Sequence, residues 1–192
     1  MGENLITNYP CLFRDTIMYT AQDLWEAVEE ANGKIPCTVS LYGFTQVKNK
    51  HPIWESGIYN KILIECNAKE ALKLTELYPM SLETGMITDL PEKYTEYYYF
   101  GKDQFYVIIN FKEPFPYEIL TDYAMAVYEE IEKILGIKVH VNYYSNKMIL
   151  YPNTFNPDTE RFVIQLYSTL EILNDEELKT LDEEAKKQRF FE

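Results

Sequence analysis

The sequence predicts an α+β domain, a mixed or mainly antiparallel sheet with flanking helices. Helical and strand patterns follow one another as α-β-β-α-β-β-α-β, then a strand and a final helix. Two strand patterns, 94–101 and 105–111, are separated only by Lys102-Asp103-Gln104. That spacing suits a hairpin and is too short for the crossover that parallel neighbours need. The run Ile62-Leu63-Ile64 lacks alternation, as a central strand covered on both faces should. A doubly wound α/β fold is the rival, and the short hairpin opposes it.

In chain order, Thr20 and Asp23 form an N-terminal capping pattern ahead of the apolar stripe Leu24, Trp25, Val28 and Ala31. Asn32-Gly33 stops that helix. Residues 36–44 follow as a strand, and the polar stretch 46–50, followed by Pro52 and Ser56-Gly57, as a loop. A strand over 59–66 leads into Asn67 and Glu70, a second capping box. The helix behind it carries Ala68, Ala71, Leu72, Leu74 and Tyr78 inward and is closed by Pro79. Residues 81–92 are irregular, and the 94–101 and 105–111 hairpin comes next. Pro114 and Pro116 then punctuate the chain. The longest helix has its buried stripe at Leu120, Ala124, Val127, Tyr128, Ile131 and Ile134/Leu135, ended by Gly136. Residues 137–144 alternate: Ile137, Val139, Val141 and Tyr143 on one face, Lys138, His140 and Asn142 on the other. A strand over 161–167 precedes an acidic helix opened by Asn174 and Glu177, with Leu178, Leu181 and Ala185 inward. The implied organisation is an N-terminal helical segment (1–35), an α+β domain (36–170) and a C-terminal acidic helix (171–192).

The 192 residues can bury a continuous core, and 46% hydrophobic with 26% charged residues is ordinary for a globular chain. A net charge of -13 opposes strong independent binding to a phosphate backbone, leaving weak nucleic-acid binding or none. Seventeen tyrosines imply that many rings sit partly exposed or at an interface. Cys11, Cys37 and Cys66 are scattered without metal-ligand spacing, and with only His51 and His140 they suggest no zinc site. A reduced, cytoplasmic setting is expected, with no membrane span or secretory signal.

Three segments could carry chemistry. The first is Ile62-Leu63-Ile64-Glu65-Cys66-Asn67, a buried strand ending in Glu-x-Asn. The second is Phe100-Gly101-Lys102-Asp103-Gln104-Phe105-Tyr106, and the third is Leu150-Tyr151-Pro152-Asn153-Thr154-Phe155-Asn156-Pro157. With Ser40-Leu41-Tyr42-Gly43-Phe44, they resemble the archaeo-eukaryotic primase superfamily, especially the small primase-polymerase domains of archaeal plasmids and viruses. The resemblance spans roughly 36–170, and the stretch from Leu150 to Leu166 is its specific part.

That resemblance implies a primase-polymerase-like domain and, in active members, Mg or Mn held by an Asp-x-Asp pair. It also implies a histidine on the incoming nucleotide's phosphates and an arginine opening the closing signature. The corresponding positions here are Glu65 and Asn67, Tyr106, and Leu150, while the third family carboxylate falls near His140 or Asn142. Two-metal chemistry requires carboxylates on adjacent strand ends. Asn67 offers only a neutral oxygen and has a sufficient role as a helix cap. Glu65 is either a residual metal or partner contact or a rim carboxylate. Asp103 is a turn residue or a replacement ligand. Tyr106 can donate one hydrogen bond to a phosphate but carries no positive charge, and packing is its plainer role. His140 is an exposed strand residue. Lys102, Lys147 and Arg161, with Lys61 adjoining, are the candidate phosphate contacts.

The expectation is therefore a noncatalytic primase-like protein needing no cofactor. It would act in DNA replication or as a viral or plasmid accessory through a protein partner, for which a primase or polymerase is a candidate. A divergent nucleotidyltransferase that uses Mg or Mn and still binds nucleotide, an acidic inhibitor or DNA mimic, and a structural or self-associating homo-oligomer stay open. Phe190 and Phe191, after the basic last turn of the final helix, either tuck into the domain or hook another chain.

Overall fold

A computed structural model describes residues 8–80, 93–172 and 174–187. A hairpin of β1 (Cys11–Phe13) and β2 (Thr16–Met18) precedes helix α1 (Ala21–Ala31). Next come β3 (Thr38–Ser40), β4 (Gly43–Phe44), β5 (Val47–Lys48), β6 (His51–Pro52) and the long β7 (Gly57–Cys66). Helix α2 (Ala68–Leu77), β8 (Lys93–Tyr99), β9 (Phe105–Phe115) and helix α3 (Leu120–Leu135) follow. The remaining elements are β10 (His140–Val141), β11 (Met148–Leu150), β12 (Phe155–Asn156), β13 (Arg161–Phe162), β14 (Ile164–Leu166) and α4 (Asp175–Lys187).

Local chemistry explains the helix limits. Thr20 and Asp23 exchange side-chain and backbone bonds in a full capping box at α1, and Asn67 and Glu70 do the same at α2. Gly136 ends α3 in the left-handed conformation, φ 64°, which costs glycine little. At α4 the Asn174 side-chain Oδ1 accepts from the Glu176 and Glu177 N–H groups at 3.0 and 3.1 Å.

Every strand pairing among the described residues is antiparallel. The main sheet runs β10-β7-β9-β8-β14, with β4 on another stretch of β7. A four-stranded sheet, β11-β3-β1-β2, lies beside it, and β5-β6 and β12-β13 are short ribbons. This is the α+β class the sequence predicts.

Antiparallel partners share a face of the sheet. From the register, Ile62 and Ile64 share one face with Val107, Ile109, Tyr97 and Tyr99. The helices cover that face. The Tyr97 hydroxyl donates to the Tyr78 carbonyl beyond the last turn of α2 at 2.7 Å, and the Tyr99 hydroxyl reaches Asp182 of α4 at 2.9 Å. The opposite face carries Lys61, Leu63 and Glu65 with Asn110, Ile108, Tyr106, Glu96 and Tyr98. It is buried yet polar. Glu96 accepts from Asn110 at 2.9 Å and from Tyr98 at 3.0 Å, and Lys61 donates to Asn60 at 3.2 Å.

Several elements depart from the sequence expectation. The β1–β2 hairpin occupies a stretch expected to hold no strand, and three-residue strands are too short to show a period. The expected strand over 36–44 is split into β3 and β4. Ser40 Oγ donates to the Tyr42 carbonyl at 2.7 Å and accepts from the Leu12 N–H at 3.0 Å, which turns the backbone between them. The expected loop from Gln46 onward holds the β5–β6 ribbon, whose turn residues Asn49 and Lys50 both have positive φ, 52° and 63°. Strand β9 runs on through Pro114 to Phe115, with a register shift opposite Tyr59–Lys61. The alternation over 137–144 yields only β10: Asn142 turns inward and is buried, while Tyr143 is exposed. Residues 148–150 form a strand that the motif reading passed over, because β3 supplies their partner. The expected strand over 161–167 divides into β13 and β14. Ile134 is 58% exposed and leaves the expected stripe of α3. The irregular stretch 81–92 and the terminal Phe190 and Phe191 lie outside the described residues.

Burial holds the Lys61 ammonium down to a pKa of about 8, and Glu96 pulls it partly back up. Burial also raises Glu96, opposed by hydrogen bonds from Asn110 and Tyr98 and by the charge of Lys61. A lysine in the unfolded chain titrates near 10.4, so between about 8 and 10 the unfolded chain binds the extra proton and the contribution of Lys61 to stability rises with pH, against the opposite contribution of the Cys37 and Cys66 thiols, which burial raises. Beyond that window tyrosines such as Tyr98, raised by burial, pull stability down. In urea unfolding the change in stability from pH 7 to about 9.5 should be more favourable in the wild type than in Lys61→Met by on the order of 2 kcal/mol. The same pH dependence in both proteins would place the effect elsewhere.

Candidate functional site

Four pieces of backbone converge at one end of the main sheet. They are the end of β7 with Glu65 and Cys66, the start of α2 with Asn67 and Glu70, the β8–β9 turn with the start of β9, and the turn before β11. Between them lies a cleft of about 550 Å³, lined also by Phe100, Lys102, Asp103, Gln104, Tyr106 and Lys147. The register sets Glu65 between Tyr106 on β9 and His140 on β10. Lys147 lies on the turn leading into β11 of the smaller sheet: its carbonyl accepts from the Leu41 N–H at 2.9 Å, and its own N–H donates to the Tyr144 carbonyl at 3.3 Å.

The polar groups of the cleft largely satisfy one another. The Lys147 ammonium donates to the Glu65 carboxylate, and both side chains are partly buried. Asn67 accepts from the Glu70 N–H at 3.0 Å while Glu70 accepts from the Asn67 N–H at 2.9 Å. Asp103 accepts from the Ala68 N–H at 2.8 Å, supplying the first turn of α2 with a carboxylate from across the site. The Tyr106 ring stacks on Phe100 with centroids 4.2 Å apart. Burial, then the charge of Glu65, pushes the Tyr106 hydroxyl up. Burial, then Glu70 and Asp103, pushes the Cys66 thiol up, so this sulfur is held as a thiol and not as a nucleophilic thiolate.

Glu65, Asn67, Lys102, Asp103, Tyr106 and Lys147 are therefore brought together. His140 stands beside Glu65, exposed. Asn142 is buried outside the cleft: its N–H donates to the Leu63 carbonyl at 2.8 Å, its amide donates to the Tyr144 carbonyl at 3.1 Å, and its Oδ1 has no hydrogen-bond partner among the described residues. Leu150 pairs with Thr38 in the smaller sheet. Lys61, expected to adjoin the cationic patch, is buried in mid-strand beside Asn60, away from the cleft lining. Arg161 packs over Gly101, where a Cβ would lie 2.7 Å from its Cγ. Its guanidinium is committed to Asp182, at 2.7 and 3.1 Å, and to the carbonyls of Thr159 and Glu160. The expected three-residue phosphate patch is reduced to Lys102 and Lys147.

The sequence reading gave no site role to Cys66, Glu70, Phe100 or Gln104, all of which line the cleft. The capping box pointed to Glu70, because Asn67 fixes its place in the first turn. Cys66, Phe100 and Gln104 lie inside the first two motif segments, and that position was their only signal. Among the described residues no three His, Cys, Asp or Glu side chains gather as metal ligands. The donor set does not suit a pair of divalent ions: Glu65 is held by an ammonium, and Glu70 and Asp103 by backbone N–H groups of the helix start.

Asn67→Ala should lower stability by about 1 kcal/mol in urea unfolding. Asn67→Asp should not, because aspartate caps as well as asparagine. Equal losses would remove the cap as the role of Asn67. A second prediction concerns α4. Its bond to Arg161 is the main reason the Asp182 carboxyl is held down to about 2. The stabilisation is thus present above the unfolded carboxyl pKa near 3.9 and lost as pH falls towards 2. Measured relative to the unprotected exchange rate at each pH, the protection of the α4 amides should fall between about pH 5 and 2.5, and in Asp182→Asn it should already be low at pH 5.

No protein-family model matches the chain, and no curated protein matches it. Among solved structures it is similar to the polymerase domain from Mycobacterium tuberculosis Ligase D in complex with DNA, with 13% identity and a TM-score of 0.45. The match covers 80% of this chain and 62% of that one, so the chain spans about three fifths of that structure's length.

Proposed function

We propose that this is a noncatalytic, primase-like protein that serves DNA replication, as a replication-associated or plasmid or virus accessory protein, through contact with another protein. A primase or polymerase is the partner class that the sequence resemblance brings with it. The Lys147–Glu65 ion pair carries the reading. In the resembled enzymes that strand-end carboxylate holds a cation needed for chemistry. Here a cation of the protein's own chain takes its charge, and the neighbouring position is an asparagine engaged in capping.

Phosphoryl transfer depends on positioning and on cationic stabilisation of the transferred group. Tyr106 is packed against an aromatic ring, Arg161 is tied to Asp182, and Leu150 lies in a strand of the smaller sheet. These placements support a cleft kept for its framework. The net charge of -13 further favours a basic protein surface over a phosphate backbone as the thing contacted.

Incorporation of labelled nucleotide on a single-stranded template, with Mg²⁺ or Mn²⁺, tests this. No product is expected from the wild type or from Lys147→Ala, which frees Glu65 but leaves Asn67 and Tyr106 in place. Template-dependent product that disappears on Glu65→Ala would overturn the reading and establish a divergent polymerase.

A further inference from the structure

A second cavity, of about 390 Å³, lies apart from the cleft and shares no lining residue with it. Its walls come from three turns. Trp54 stands on the 3-10 turn before β7, Tyr117 and Glu118 on the 3-10 turn before α3, and Tyr143, Tyr144 and Ser145 on the loop between β10 and β11. Its volume falls in the range of small-ligand sites, roughly 300–1,000 Å³.

The rings are both open and braced. Tyr117, Tyr143 and Tyr144 are 39%, 41% and 52% exposed. The last two lie against each other, with centroids 4.3 Å apart and their hydroxyls hydrogen-bonded at 2.9 Å. Buried Tyr59 braces the other side: its ring lies 5.6 Å from Tyr117, and its hydroxyl donates to the Trp54 carbonyl. Gly57 makes room for that ring, because a Cβ there would come within 2.3 Å of it. The Asn142 amide holds the Tyr144 carbonyl and so fixes the loop.

We infer that this cavity is a binding site for an arginine side chain presented by a basic partner protein. Four aromatic residues line it, whose rings carry the negative π-faces that attract a cation, and Glu118 lines the same cavity. Among the described residues no Lys, Arg or His lines it, so no internal cation competes for the rings. The chain's charge of -13 adds attraction at long range. Arginine fits better than lysine or a quaternary ammonium. Its planar guanidinium stacks on rings, and its N–H groups can donate to Glu118, Ser145 and the tyrosine hydroxyls. The inference rests on the protein-contact reading and gives its partner a chemistry.

Trp54 supplies the measurement. In a Trp25→Phe background, which removes an exposed indole on α1, emission of Trp54 is followed during titration with a capped glycine peptide carrying one arginine. Saturable change is expected, with the lysine and citrulline counterparts about tenfold weaker or silent. Tyr144→Ala and Glu118→Gln should each weaken the arginine peptide by about tenfold. Both positions are exposed, so melting should stay unchanged. Equal binding of citrulline, indifference to both substitutions, or binding of chitotriose in place of the arginine peptide would overturn the proposal. The readout is independent of nucleotide incorporation. A polymerase activity would sink the noncatalytic reading and leave this result standing, and absent arginine binding would do the reverse.

Discussion

The pairing of β7 with β9 is the constraint on which the rest of the structure depends. Lys61 to Cys66 run against Asn110 to Phe105, and these two strands occupy the middle of the main sheet. With neighbours on both edges and cover on both faces, their central side chains have no route to solvent, which is why Ile62, Leu63 and Ile64 are all apolar and fully buried. Only at the strand ends does the sheet open. The cleft forms there because α2 leaves directly from the end of β7 and the hairpin turn leads directly into β9. The pairing that closes the core thus also sets Glu65 against Tyr106 and draws Asp103 onto the start of α2.

Charge is distributed by the same economy of partners. With 31 acidic and 18 basic side chains, a folded cation readily meets an acid of its own chain. Lys147 meets Glu65, Arg161 meets Asp182, and Lys61 feels Glu96 across the polar face of the sheet. Each of these cations was a candidate for holding phosphate. Inside the fold two are ion-paired and one is desolvated, so little cationic surface is left at the cleft for a nucleotide. An exposed ion pair would contribute little to stability, but these side chains are partly or wholly buried, where removing one partner leaves the other uncompensated.

Two groups of tyrosines have opposite environments that composition cannot separate. Tyr42, Tyr97 and Tyr99 bury their rings and hand their hydroxyls to a carbonyl or a carboxylate, which lets an aromatic sheet face sit under helices without orphaned polar groups. Tyr117, Tyr143 and Tyr144 keep their rings open around a cavity. The open rings are braced by Asn142, whose amide bonds the Tyr144 carbonyl, and by Tyr59, whose ring packs against Tyr117.

The sequence by itself determined what neighbouring residues settle among themselves. The two capping boxes, the Gly136 helix stop, the unalternated β7, the β8–β9 hairpin and the buried Leu181 and Ala185 of α4 all follow from spacings of a few residues, because helix caps, hairpin turns and amphipathic faces are short-range physics. The motif resemblance likewise pointed to the strand ends that line the cleft. Tertiary structure decided everything that needs a partner far along the chain. Two- and three-residue strands such as β1, β11 and β13 have no period of their own and exist because another strand offers hydrogen bonds. Lys147 is 82 residues from Glu65, and Arg161 is 21 from Asp182, so no local pattern could show that these cations were already taken. The inward turn of Asn142 after two residues of strand was hidden for the same reason. Its backbone answers to the carbonyl of Leu63, and only the folded chain brings that carbonyl within reach.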